Sequence, residues 1–83
     1  GQDLVVRYRK QLEDLKDAEL AKAIARAKQG DDIDLVLKTL ATQLTQKLAH
    51  TPSVGLKSLI IDGDAAAIEQ AKTLLGLNQD DTP

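Results

Sequence analysis

The sequence contains no cysteine, methionine, tryptophan or phenylalanine, and Tyr8 is its only aromatic residue. Without cysteine there is no disulfide framework, no thiolate zinc site and no cysteine nucleophile. A single histidine, His50, cannot build a two-histidine metal site. A single aromatic cannot form the stacking platform of a single-strand nucleic-acid binder. An excess of one charge is also missing. Eleven basic residues face 13 acidic ones, and a net charge of -2 is not the footprint of a dedicated DNA-binding module. No apolar run approaches the ~20 residues of a membrane span, and no signal-peptide pattern is present. The expected setting is therefore cytoplasmic, with no membrane partner. With two prolines and five glycines, long stretches run without a breaker.

What is present is aliphatic. Of the 83 residues 42% are apolar, too many for a disordered chain and enough for one small domain. The chain starts Gly1-Gln2-Asp3, and a regular apolar pattern begins at once at Leu4. That is expected of a piece excised from a longer protein.

Leu4, Val5, Tyr8, Leu12 and Leu15 follow the spacing of an amphipathic helix, close to a heptad seam. The stripe then jumps to Leu20, Ala23, Ile24 and Ala27, a step that rotates the apolar face by roughly 140°. With no Gly or Pro to interrupt it, one continuous helix is expected, ending at Gln29-Gly30 with Gly30 as a left-handed cap. Asp31-Asp32 opens a second helix, and Asp31, Asp32 and Asp34 suit the positive end of its dipole. Ile33, Val36, Leu37, Leu40, Ala41, Leu44 and Leu48 form its broad apolar stripe, Leu35 sits off it, and the helix is expected to end near Ala49-His50. Thr51-Pro52-Ser53 reads as the start of a third helix, with Pro52 in the first turn. Gly55 marks that helix as short and close-packed. Asp62-Gly63-Asp64 suggests a hairpin turn, but no alternating strand follows. Asp64 is expected instead to cap a fourth helix carrying Ala67, Ile68, Ala71, Leu74 and Leu75, stopped by Gly76 in the left-handed position. Residues 78–83 read as a disordered polar tail. The expected fold is all-α: a small helical bundle of one long helix and three shorter ones.

Chemistry is hard to place on this pattern. His50 has Thr45, Thr51 and Ser53 nearby but no triad spacing, and reads as a helix-end residue stabilising the last carbonyls. Neither Asp31, Asp32 and Asp34 nor Asp62 and Asp64 match a calcium loop with its closing Glu, and capping accounts for both groups. Arg7, Arg9, Lys10 and Lys16 are diluted by Glu13 and Asp14 and read as a solvated face. No catalytic, cofactor-binding or metal-ligating residue is expected. A surplus of apolar surface remains, and a domain this small commonly covers such a surplus by two-fold association. The residues expected to carry the seam, shared between core and dimer, are Val36, Leu37, Leu40, Leu44 and Leu48.

The segment Leu44-Thr45-Gln46-Lys47-Leu48-Ala49-His50-Thr51-Pro52-Ser53 resembles the "LTNKLLHAPT" stretch in the C-terminal dimerisation domain of bacterial glutamyl-tRNA reductases. The flanks are similar too, with Tyr8-Arg9, Leu12-Glu13 and Asp17-Glu19-Leu20 before it, and Gly63-Asp64 and Leu74-Leu75-Gly76-Leu77 after it. The resemblance covers about Val5 to Leu77. It implies a two-fold helical dimer within a V-shaped parent. In that parent a catalytic cysteine domain and an NADPH domain reduce glutamyl-tRNA to glutamate-1-semialdehyde, the first step of tetrapyrrole synthesis. It implies that residues 1–29 are the lower end of a long spinal helix and residues 30–77 the dimerisation domain. The fragment would then be non-catalytic, with no cofactor of its own. Its partners would be a second copy and the parent's other domains. The resemblance also brings in glutamate-1-semialdehyde aminomutase, and tRNA reached through Arg7, Arg9, Lys10 or Lys47.

Overall fold

A long breaker-free stretch should give a long helix, and residues 2–28 form one. The computed structural model describes residues 1–77, all helix and connecting turn. The helices are α1 (Gln2–Lys28), α2 (Ile33–Asp62) and α3 (Ala65–Leu74). The expected tail, 78–83, lies outside the described residues.

Helix α1 is continuous through Asp17-Ala18-Glu19. It ends in a six-residue capping motif. Gly30, at φ +90°, donates its N–H to the Ala27 carbonyl at 3.1 Å, and the Asp31 N–H reaches the Arg26 carbonyl at 3.2 Å. Only glycine holds that φ without strain. Arg26 and Lys28 in the last turn complement the dipole. The covered side of α1 is Leu12, Leu15, Glu19 and Ala23, a steady stripe of three- and four-residue steps. The rotation expected after Leu15 is therefore not a turning of the buried face. Glu19 continues the stripe, and Leu20 and Ile24 begin a second row beside it.

Helix α2 corrects the expected four-helix count to three among the described residues. It begins at Ile33, where the Asp32 carbonyl accepts the Val36 N–H at 3.0 Å. It does not stop at Ala49-His50, and Pro52 lies inside it. The ring removes the donor that would otherwise serve the Leu48 carbonyl. The stripe continues across it nonetheless, because Leu48, Pro52, Leu56 and Leu59 are all half-buried at helical spacing. Pro52 serves as one apolar member of that stripe. His50 is accordingly an exposed mid-helix residue, not a helix end. Nor is Gly55 a point of close packing, since a Cβ built there meets nothing within 4 Å.

The chain divides between His50 and Thr51 into two compact units. In the second, α2 ends at the left-handed Gly63, φ +71°. Asp64, in extended backbone, then caps α3 as expected, its Oδ1 accepting the Ala67 N–H at 3.2 Å. Pro52, Leu56 and Leu59 of α2 and Ala67, Ile68 and Ala71 of α3 are its half-buried apolar residues. Gly76 closes α3 left-handed, and the Leu77 N–H reaches the Lys72 carbonyl at 2.7 Å.

Candidate self-association interface

The first unit, Gly1–His50, is a helical hairpin. The turn at 29–32 sends α2 back along α1, and a contact between residues 28 apart closes it. Lys47 Nζ donates to Glu19 Oε2 at 2.6 Å, and Lys22 Nζ donates to the same oxygen at 3.1 Å. Glu19 is only 5% exposed, as buried as Ala23 and nearly as buried as Val36. A lone buried carboxylate would be costly, but here two ammonium donors meet it. Those hydrogen bonds, Lys47 first and Lys22 second, hold the Glu19 carboxyl below the usual glutamate range and outweigh the opposing effect of burial. The same bond raises the Lys47 ammonium. Sequence reasoning missed both residues as seam members. The available signal was position: Glu19 falls on the spacing Leu12, Leu15, Glu19, Ala23.

The five expected seam residues do not share one environment. Val36 is buried at 3% exposure. Leu40, Leu44 and Leu48 are half-buried, and Leu37 is 56% exposed. The covered side of α2 also holds Thr39, Gln43 and Lys47. The polar residues are thus turned inward while Ile33 and Leu37 stay open. Ile33 and Leu37 share the angular sector of half-buried Leu40, Leu44 and Leu48 and are open because they stand in the first two turns of α2, next to the hairpin turn.

The second row on α1 is open as well, with Leu20 41% and Ile24 45% exposed. Leu35, expected off the stripe, is exposed on another side of α2. Of the four cations expected for tRNA, Arg7, Lys10 and Lys47 line one open concavity of the first unit together with Lys22, Asp14 and Glu19, and Arg9 does not. Lys10 pairs with Asp14 at 2.7 Å and Lys47 with Glu19. Arg7 and Arg9, both exposed, are two residues apart and so roughly 200° apart around α1. Among the described residues no group of three or more His, Asp or Glu is placed to hold a metal ion. No described helix is long and apolar enough to cross a membrane. NADPH does not fit these residues: the sequence has no glycine-rich dinucleotide turn, and among the described residues no strand exists to carry one.

The family model for the glutamyl-tRNA(Glu) reductase dimerisation domain matches residues 2–77. The chain belongs to this family. The glutamyl-tRNA reductase of Pseudomonas putida is 42% identical over 80 residues, covering 96% of this chain and 19% of the relative. That of Pseudomonas fluorescens is 42% identical over 84 residues, 98% of this chain and 20% of the relative. That of Pseudomonas syringae pv. syringae is 41% identical over 80 residues, 96% and 19%. The chain therefore spans about a fifth of the length of the relatives it matches. No solved structure matches it. The matched region is a dimerisation domain of an enzyme, and self-association is the function the family assigns to it.

Proposed function

We propose that this chain holds two copies of a glutamyl-tRNA reductase together, and that Val36, Leu37, Leu40, Leu44 and Leu48 are divided between the hairpin seam and the contact with the second copy. The observation that carries the reading is the half-used stripe of α2. Its first two turns stand open at Ile33 and Leu37 while Gln43 and Lys47, further along, occupy covered positions. Residues 1–29 act as the end of a longer helix feeding residues 30–77. The parent's reduction of glutamyl-tRNA to glutamate-1-semialdehyde, its NADPH and its catalytic cysteine belong to regions outside this chain.

Sedimentation across a dilution series tests the reading. The expected mass is about 18 kDa, twice 9.0 kDa, persisting on dilution. Leu44→Asp buries a charge in the half-covered stripe and is expected to abolish the dimer. A folded 9.0 kDa chain at every concentration would refute the proposal.

A further inference from the structure

Two apolar rows of the first unit, open at Leu20, Ile24 and Leu37 and half-buried at Leu44 and Leu48, lie on the same side of the hairpin. At roughly 100° per residue, Leu37, Leu44 and Leu48 sit about 80–120° round α2 from buried Val36. Leu20 and Ile24 sit about 100–140° round α1 from buried Glu19. The offsets have the same sign. Antiparallel helices reverse the sense of rotation when viewed from one end. Equal signs on the two helices of a hairpin therefore place both rows on one side, and they merge into one face. The levels also agree. Glu19 pairs with Lys47, so Leu20 stands beside the Leu44 level and Ile24 nearer the tip, towards Leu37.

We infer that this two-helix face, Leu20 and Ile24 of α1 with Leu37, Leu44 and Leu48 of α2, is where a second copy of the chain docks, hairpin against hairpin. The inference rests on the proposed self-association and adds α1 to it. Charge argues for a second copy over a different occupant. A two-fold contact presents the same patch to itself, so any charge near the axis meets its own sign. Within this sector no Asp, Glu, Lys or Arg occurs on α1 between Leu20 and Ala27, or on α2 between Ile33 and Leu48. The charged residues of both stretches fall outside it. Ala27 and Ala41 also fall in the sector and let the paired helices approach closely.

The test uses the whole chain and three substitutions: Ile24→Glu, Leu37→Glu and, as the comparison, Leu35→Glu. Leu35 is 60% exposed but lies on the opposite side of α2 from the face. All three positions are open in the single chain, so helicity by circular dichroism is expected to persist. Each face substitution enters the dimer twice and desolvates two like charges. Ile24→Glu and Leu37→Glu are expected to raise the dimer dissociation constant about a hundredfold or more. Leu35→Glu should leave it within about threefold. A spin label at Ile24→Cys, clean because the chain has no cysteine, should be immobilised in the dimer and freed on dilution. A label at Leu35→Cys should stay mobile throughout. A wild-type dimer that Ile24→Glu leaves intact, with a mobile label at Ile24→Cys, overturns this inference and spares the proposed function. So does a Leu35→Glu variant as disrupted as Leu37→Glu. A wild-type chain that remains monomeric overturns both.

Discussion

Replacing Pro52 by alanine should stabilise the chain. Pro52 is interior to α2, where proline disfavours a helix by about 3 kcal/mol relative to alanine. Two losses offset part of that gain. The ring is half-buried, and its two extra methylenes forfeit about 0.8 kcal/mol of contact. Alanine also frees the unfolded chain, at a cost of about 0.7 kcal/mol. The net expectation is a gain of about 1.5 kcal/mol, which in a domain of this size raises Tm by about 6–12 °C. The assay is thermal unfolding by circular dichroism, with wild type and variant at one protein concentration because a dimer's Tm depends on concentration. The sign is what matters. If Pro52 stood in the first turn of a separate helix, its N–H would not be missed and its fixed φ would help. Only the entropic loss would then remain, and Pro52→Ala would lower Tm. An unchanged or lower Tm refutes the continuous helix.

Gly55→Ala should also stabilise, by about 1 kcal/mol, because the position is helical and a Cβ there meets open space; a fall in Tm would mean that something approaches that backbone. The Glu19 carboxyl titrates below its ordinary value in the folded chain. Its contribution is therefore complete above the unfolded glutamate pKa of about 4.3 and is lost as pH falls through the lower folded value. Denaturant midpoints measured from pH 6 down to 3 should fall more steeply for wild type than for Glu19→Gln. Parallel curves would show that the bonds to Lys47 and Lys22 contribute nothing.

The features legible in the sequence are those set by a few neighbouring residues. Gly30 and Gly76 can be read as left-handed helix ends, and Asp64 as a cap, because each acts on backbone groups within a few positions of itself. The continuity of α1 follows equally from the lack of any breaker. Two features were not legible, for different reasons. Thr51-Pro52 satisfies the rules for a helix start and is compatible with a helix interior when the flanking stripe keeps its phase, as Leu48, Leu56 and Leu59 do. Local rules cannot choose between these. Glu19 looks like a surface residue because its burial depends on Lys47, 28 positions away. Composition also suggests one broad stripe on α2. It could not say that the covered edge would include Gln43 and Lys47 and leave Leu37 in the open.

That arrangement links the fold to the function. Among the described residues only Glu19, Ala23 and Val36 are buried, and one of the three is a carboxylate. Two small apolar side chains cannot offset the conformational entropy of ordering a hairpin from Gly1 to His50, since each residue costs roughly 1–2 kcal/mol in its backbone alone. The half-buried leucines help, yet the largest apolar gain still available is on the side where Leu20, Ile24 and Leu37 remain open. The hydrogen bonds of Lys47 and of exposed Lys22 to buried Glu19 set the register of the hairpin and leave Leu20, Ile24 and Leu37 uncovered. In such a design the register comes from polar contacts within one chain, and much of the stability comes from contacts between chains. On the proposed reading a second copy covers that open face, so a substitution there acts on association while the single chain keeps its helices.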